Sequence, residues 1–254
     1  MNLEQDFTLP WGWLLSSRSR RIILKNVGRP ASQNSSKEAV LMALEVSETF
    51  VSLMGESTRA GLPAYFIRLT GCNLRCRFCD TQYAYAGGSP LSVTALVAAA
   101  LAQPHRLALV TGGEPLLQAE TPVLLAEMLS AGFTVCLETN GSVPIGSVDA
   151  RVHRILDIKC PGSGMAERND WRNLELLTSR DEVKFVVSDR LDFTWAVKII
   201  RSHQLSPRLA VLISPVFGKV PLPEAAAWIV DSGLPLRLNP QLHKYIWGPE
   251  VRGV

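Results

Sequence analysis

Apolar and polar positions alternate in blocks from about residue 44 to the end of the chain. Short apolar runs predict β-strands at 65–69, 107–110, 135–137, 152–156, 183–187, 209–213 and 234–238. Amphipathic stretches between these runs predict helices at 91–103, 115–131, 171–178, 192–203 and 222–232. Ser89 and Pro90 are suited to begin the first helix. Pro115 is suited to begin the second, and Gly132 to end it.

Strands that alternate with helices predict an α/β fold with a mainly parallel sheet. The number of strands favours an incomplete (β/α) barrel over two separate domains. In such folds ligands bind at the carboxyl ends of the strands. The conspicuous motifs of this chain directly follow predicted strands, so we expect its chemistry at that edge of the sheet.

The first 43 residues differ from the rest of the chain. They contain a basic cluster between residues 18 and 25 and a polar stretch at 32–36. This composition predicts a poorly ordered N-terminal extension at 1–43, followed by a catalytic domain at 44–254. A weak anchor or partner motif formed by Trp11, Trp13 and the arginines that follow is the alternative.

Composition indicates a globular protein without a nucleic-acid or membrane partner. The chain has 254 residues, of which 47% are hydrophobic and 19% charged, and its net charge of +3 is too small to indicate a polyanionic partner. We see no apolar run long enough to span a membrane. Three of the five cysteines stand within eight residues. That crowding favours a metal site in a reducing cytoplasm over a disulfide framework.

The three crowded cysteines are Cys72, Cys76 and Cys79, and they follow a predicted strand. Thiolates bind iron–sulfur clusters, and three from one loop can hold three corners of a [4Fe–4S] cube while the fourth iron stays open to a small ligand. Structural zinc is the alternative, but it needs four ligands, commonly in two Cys pairs. The chain has one such pair here, and its four histidines lack the spacing of a zinc finger.

Two further features carry candidate chemistry. Gly112 and Gly113 allow close backbone approach, and Glu114 can accept a hydrogen bond from an ammonium group. The same motif could instead only turn a strand into a helix. Arg68 stands inside an apolar strand, where a buried charge needs a partner. That partner is either a ligand carboxylate or an internal acid such as Glu56.

The spacing Cys-x3-Cys-x2-Cys resembles that of the radical S-adenosylmethionine superfamily. From about residue 45 to the end, the chain resembles one family within it, the 7-carboxy-7-deazaguanine synthases of queuosine and deazapurine biosynthesis. The segments that carry this resemblance are 48–56, 66–69, 71–84, 111–116, 138–141, 157–162, 182–187, 241–244 and 246–248. The chain departs from the family pattern at Met54, where glutamine is common, and at Ser57, where glycine is common.

The resemblance implies a fold and an activity. The fold is the incomplete barrel of radical S-adenosylmethionine enzymes. The activity is that of a lyase that contracts the ring of 6-carboxy-5,6,7,8-tetrahydropterin to 7-carboxy-7-deazaguanine with loss of ammonia. It implies a [4Fe–4S] cluster, S-adenosylmethionine and Mg²⁺ as cofactors, an electron donor such as flavodoxin or ferredoxin, and a homodimer. A glycyl-radical activase and a non-enzymatic iron–sulfur electron carrier are the alternatives.

The resemblance also implies roles for individual residues. Cys72, Cys76 and Cys79 would bind the cluster, and Thr81 would bind magnesium. The residues expected at the nucleoside cofactor are Phe78, Cys79, Asp80, Gly113, Glu114, Lys159, Cys160, Pro161, Lys184 and Phe185. The residues expected at the pterin are Leu53, Met54, Gly55, Arg68, Thr111, Gln241 and His243. No residue is assigned as a catalytic acid or base, because the cofactor carries the radical chemistry.

Overall fold

The computed structural model describes residues 43–254, so the interpretations of residues 1–42 lie outside it. Nine strands form one open sheet in the order β3-β1-β2-β4-β5-β6-β7-β8-β9. The strands are β1 Ala43–Leu53, β2 Pro63–Leu69, β3 Ser89–Ser92, β4 Leu107–Gly112, β5 Thr134–Thr139, β6 His153–Ile158, β7 Glu182–Val187, β8 Ala210–Pro215 and β9 Arg237–Leu238. From β2 to β9 all neighbours are parallel, whereas β1 is antiparallel to both β2 and β3. The predicted mainly parallel, incompletely closed α/β sheet is confirmed.

Helices connect the strands and cover one face of the sheet, except for the last helix, which follows β9 and lies apart from that face. They are α1 Val93–Leu101, α2 Thr121–Ser130, α3 Asn173–Leu176, α4 Arg190–Ser202, α5 Leu222–Ser232 and α6 Leu242–Trp247. The main hydrophobic core lies between the sheet and helices α1 to α5. Within residues 43–254, none of the helices has the length and apolar character needed to cross a membrane.

Two predicted helix starts are wrong, for local reasons. Residues 89–92 pair with β1 as strand β3, so α1 begins at Val93. The side chain of Ser92 accepts a hydrogen bond from the Ala95 amide (3.2 Å) and is therefore the N-cap. Pro115 begins only a short 3₁₀ turn, and α2 starts at Thr121. The predicted end of α2 is confirmed, since Gly132 follows it with a φ of +85°.

The concave face of the sheet carries a second, smaller apolar cluster. Its members include Met54, Phe66, Leu109, Cys136 and Ile155. Because successive side chains of a strand point to opposite faces, each strand contributes to the helix-covered core and to this concave face in turn. The concave face forms the floor of the site described next.

Candidate active site

A cavity of about 800 Å³ opens on the concave face at the carboxyl ends of the strands. It is within the size range of sites for small molecules. Its walls come from strands β1, β2 and β4 to β8, from the loop after β2, and from the last residues of the chain. The position agrees with the edge at which the motifs were expected.

The cysteine loop lies on this cavity. Cys72, Cys76 and Cys79 all line it and form no disulfide. The Leu74 amide donates to Sγ of Cys72 over 3.4 Å, and Asn140 Nδ2 donates to the same sulfur over 3.8 Å. Burial raises the pKa of Cys76, although the nearby Lys159 acts in the opposite direction.

This set of thiols fits an iron–sulfur cube, in which three thiolates from one loop hold three corners. No three of the described His, Cys, Asp and Glu side chains converge as the ligands of one ion would. In a cubane cluster each cysteine binds a different iron. Cys136 and Cys160 are buried away from the cavity wall, so the described residues offer no fourth thiol at the loop.

The Gly112-Gly113 pair packs against the cysteine loop itself. A Cβ atom at Gly113 would lie 2.1 Å from the carbonyl oxygen of Gly71, and one at Gly112 would lie 2.1 Å from that of Leu69. The Glu114 amide donates to the Gly71 carbonyl over 2.7 Å. The glycines therefore allow close backbone contact, Gly112 with the end of β2 and Gly113 with the cysteine loop.

Four residues predicted at the nucleoside cofactor do not reach the cavity wall. They are Glu114, Cys160, Pro161 and Phe185. The buried carboxylate of Glu114 instead accepts hydrogen bonds from the Thr139 hydroxyl (2.9 Å), the Asn140 amide (2.6 Å) and the Leu116 amide (2.9 Å). Burial raises its pKa above the usual value. These contacts cap the turn after β4 and join it to the end of β5. The cofactor role of Glu114 stays a prediction.

Phe185 and its neighbour Lys184 illustrate the alternation of a strand. Phe185 belongs to the helix-covered core, and Lys184 points into the cavity. The other predicted cofactor residues do line the cavity: Phe78, Cys79, Asp80, Gly113 and Lys159.

Lys184 is the centre of a charged network that the sequence motifs do not predict. Its ammonium lies 2.6 Å from Oε2 of Glu56 and 3.5 Å from Oδ2 of Asp157, and it also contacts Glu138. Asp157 in turn pairs with Lys159 over 3.0 Å. Burial would lower the pKa of Lys184, but the carboxylates raise it well above the usual value, so the side chain stays charged.

Arg68 has an internal partner, and it is Glu48. Nε of Arg68 donates to Oε1 of Glu48 over 2.8 Å. The predicted alternative partner, Glu56, is occupied by Lys184. The hydroxyl of Tyr83 donates to the same oxygen of Glu48, also over 2.8 Å. Arg68 nevertheless lines the cavity, so an internal ion pair and a ligand contact are compatible.

All the residues predicted at the pterin line the same cavity: Leu53, Met54, Gly55, Arg68, Thr111, Gln241 and His243. Gln241 is the N-cap residue of the C-terminal helix α6, and His243 belongs to that helix. The helix is held against the loop after β1, where the Leu242 amide donates to the Gly55 carbonyl over 2.9 Å. A side chain at Gly55 would displace the His243 ring, because its Cβ would lie 2.1 Å from Nδ1 of His243. Burial lowers the pKa of His243, which favours the neutral imidazole.

Asp80 and Thr81 form the end of the cysteine loop nearest to α6. The Thr81 hydroxyl donates to Oδ1 of Asp80 over 2.9 Å. The other carboxylate oxygen accepts from Nε2 of Gln241 (2.9 Å) and from Nζ of Lys244 (2.5 Å). Lys244 also lines the cavity and was not predicted as a site residue.

Comparison with known proteins identifies the class of the fold and site. The family model for the radical S-adenosylmethionine (SAM) superfamily matches residues 66–202. The fold resembles the crystal structure of QueE from Escherichia coli, with a TM-score of 0.65 at 20% identity, over 83% of this chain and 99% of that one. It also resembles Streptococcus suis SuiB bound to S-adenosylmethionine, with a TM-score of 0.51 at 13% identity, over 69% and 50% of the two chains. The chain belongs to the radical SAM superfamily, which implies a [4Fe–4S] cluster and S-adenosylmethionine as its cofactors.

Relatives with higher sequence identity identify the family within this superfamily. The 7-carboxy-7-deazaguanine synthase of Chlorobaculum tepidum is 42% identical over 214 residues, which cover 83% of this chain and 97% of the relative. The synthase of Koribacter versatilis is 40% identical over 226 residues, covering 83% and 100%. That of Methanospirillum hungatei is 39% identical over 225 residues, covering 87% and 90%. The chain belongs to the 7-carboxy-7-deazaguanine synthase family, as its motifs predicted.

Proposed function

We propose that the chain converts 6-carboxy-5,6,7,8-tetrahydropterin to 7-carboxy-7-deazaguanine and ammonia. The observation that carries this proposal is that the three free cysteines of one loop and the guanidinium of Arg68 face the same cavity. A radical cofactor and a carboxylated substrate would thus meet in one cavity. The substrate contains the same atoms as the two products together, so the conversion needs no net oxidant. The relatives carry the synthase name, and the activase and electron-carrier alternatives are set aside.

The protein would bind and orient the two ligands and exclude water from them. Cys72, Cys76 and Cys79 would hold the cluster, which when bound supplies the electron that cleaves S-adenosylmethionine to a 5′-deoxyadenosyl radical. Phe78, Gly113 and Lys159 would border the cofactor. This arrangement would allow one hydrogen of the pterin to be removed and later returned.

The pterin would lie on the floor of the cavity. The guanidinium of Arg68 can bind its carboxylate, because a planar fork of N–H donors matches a carboxylate. His243 and Gln241 would approach from α6, and Met54 and Gly55 would contribute mainly backbone groups. The departure at Met54 therefore affects side-chain contacts with the ring more than the placement of the ring.

Thr81 would bind a magnesium ion at the junction of protein and substrate carboxylate. The residue lines the cavity and its hydroxyl oxygen is beside the carboxylate of Asp80. Magnesium prefers oxygen ligands, keeps several waters, and is commonly held by few protein groups together with the substrate. Asp80 is then placed to orient a bound water.

The remaining partners follow from the same function. The cluster would need a one-electron donor such as flavodoxin or ferredoxin, and the enzyme would act as a homodimer. Its free thiols suit the reducing cytoplasm. Residues 44–254 would form the catalytic domain, with residues 1–43 as an extension.

Cofactor cleavage provides a direct test of the proposed function. Reduced, cluster-loaded protein should cleave or reversibly activate S-adenosylmethionine, and the carboxypterin should stimulate hydrogen exchange between substrate and the 5′ position. Exchange can be followed by deuterium transfer and mass spectrometry. If the carboxypterin changes neither the rate of S-adenosylmethionine cleavage nor the hydrogen exchange, the substrate assignment is contradicted, but the assignment to the radical enzyme class is not.

A further inference from the structure

A β-bulge changes the direction of β1 side chains just before Glu48. Val46 pairs with Leu69 and Glu48 pairs with Arg68, so Ser47 is an extra residue between two successive pairs. A bulge of this kind shifts the following side chains to the other face of the sheet.

The shift is visible in the packing of β1. Before the bulge, Leu44 and Val46 belong to the helix-covered core. After it, Phe50 packs on the concave face, where its ring stacks on Phe66 at a centroid distance of 4.7 Å. With an unbroken alternation Glu48 would point into the apolar core. The bulge places it directly across from Arg68.

Glu48 itself does not line the cavity, whereas Arg68 and Tyr83 do. One oxygen of Glu48 accepts from Nε of Arg68 and from the Tyr83 hydroxyl, each over 2.8 Å. Within residues 43–254, the hydrogen bonds of the Arg68 guanidinium involve Nε alone. The two terminal nitrogens are thus left for a ligand, and they are the pair that binds a carboxylate end-on.

Tyr83 connects this pair to the cysteine loop. It belongs to the 3₁₀ turn Gln82–Tyr85, which directly follows Thr81. The guanidinium of Arg252 lies over its ring, 4.1 Å from the ring centroid. The orientation of Arg68 therefore depends on the same loop that carries the cysteines.

We propose that Glu48 and Tyr83 are positioning residues that fix Arg68 through Nε and thereby select pterins that carry a carboxylate over pterins that lack one. This inference rests on the proposed function. Glu48 lies behind Arg68 and acts only through it. The Tyr83 hydroxyl holds in place the Glu48 oxygen that accepts the hydrogen bond from Nε of Arg68.

The test compares two ligands, 6-carboxytetrahydropterin and tetrahydropterin without the carboxylate. Their dissociation constants are measured anaerobically on enzyme loaded with cluster and S-adenosylmethionine. Tyr83→Phe should weaken the carboxypterin about tenfold, since a hydrogen bond to a charged group is lost. Glu48→Ala should weaken it at least as much, and Glu48→Gln should recover part of the loss because it keeps an acceptor. Binding of the carboxylate-free pterin should change little in all three variants.

Glu45→Ala provides the matched control, because Glu45 is an exposed acid on the same strand. It should leave both dissociation constants unchanged. Iron content and S-adenosylmethionine affinity check that each variant is folded. If Glu48→Ala does not fold, Tyr83→Phe, which removes only one oxygen, tests the inference in its place. Equal weakening of both pterins would overturn the inference, as would tighter carboxypterin binding in Glu48→Ala. Wild-type protein that binds neither pterin would instead overturn the proposed function and this inference with it.

Discussion

Nζ of Lys244 lies 2.5 Å from Oδ2 of Asp80, and this contact joins the C-terminal helix to the cysteine loop. The two residues are 164 positions apart in the chain. Burial opposes the charge on Asp80, but Lys244, Gln241 and Thr81 hold the pKa of its carboxyl well below the usual range. The end of the chain therefore closes the site and also fixes the loop that carries the cysteines.

Lys244→Met should destabilise the protein by about 1 kcal/mol at pH 7, the size expected for a half-exposed ion pair. The pKa of Asp80 is lowered in the folded state, so its contribution is present above the unfolded pKa near 4 and is lost as pH falls below it. The difference from wild type should accordingly shrink between pH 7 and pH 3.5 in urea unfolding. In an Asp80→Asn background Lys244→Met should have little further effect, and full additivity would show that the contact is not stabilising.

Gly113→Ala should displace the cysteine loop, because its Cβ would lie 2.1 Å from the Gly71 carbonyl. We expect a loss of about 1–3 kcal/mol in stability, typical of overpacking, together with reduced iron content. Gly146→Ala is the control, since the nearest atom to its Cβ would be Leu176 Cδ1 at 3.9 Å. Similar iron content in the two variants would contradict the role given to Gly113.

Cys76→Ala should abolish cluster binding and turnover, whereas Cys136→Ala should keep both. Reconstituted wild-type protein should bind about four irons per chain, as a cubane requires. Cys136 packs on the concave face away from the cysteine loop and is suited to a core role. Iron and sulfide analysis with visible absorbance checks this, and stoichiometric zinc without iron would refute the cluster assignment.

Thr81→Val should blunt the response of turnover to magnesium while leaving the iron content intact. The substitution removes the hydroxyl oxygen and nearly keeps the shape of the side chain. Carboxypterin turnover of chelator-treated wild-type enzyme should rise with added Mg²⁺, since a hard cation would bridge Thr81 and the substrate. Wild-type turnover that is indifferent to magnesium would exclude this site. The Thr81 hydroxyl would then serve only Asp80, as in the contact observed here.

Much of the fold could be predicted because the parallel strands are short, apolar and separated by amphipathic helices. Strand β1 was missed for a physical reason. Its alternation is interrupted by the bulge at Ser47, so Leu44 and Val46 face one side of the sheet while Glu48 and Phe50 face the other. A strict alternation of apolar and polar side chains over the whole strand is therefore absent, and the pattern does not predict β1.

Site residues that lie in one contiguous motif could be predicted from the sequence. Site residues that are placed by the alternation of a strand, or by a partner distant in sequence, could not. The cysteine loop, whose three thiols line the cavity, is of the first kind. Phe185 is predicted at the cofactor together with Lys184, but neighbours in a strand face opposite sides and Phe185 packs in the helix-covered core, so its cofactor role stays a prediction. Glu48 and Lys244 were missed because their partners are distant in sequence. Arg68 is 20 residues from Glu48, and Asp80 is 164 from Lys244.

The most direct test of the proposed function is anaerobic turnover of 6-carboxy-5,6,7,8-tetrahydropterin, followed by mass analysis of the products. With cluster, S-adenosylmethionine, magnesium and a reductant, we predict 7-carboxy-7-deazaguanine and one ammonia for each substrate consumed. The reaction should stop in Cys76→Ala and Arg68→Ala. Cluster-loaded enzyme that activates S-adenosylmethionine but returns the carboxypterin unchanged would contradict the proposed function.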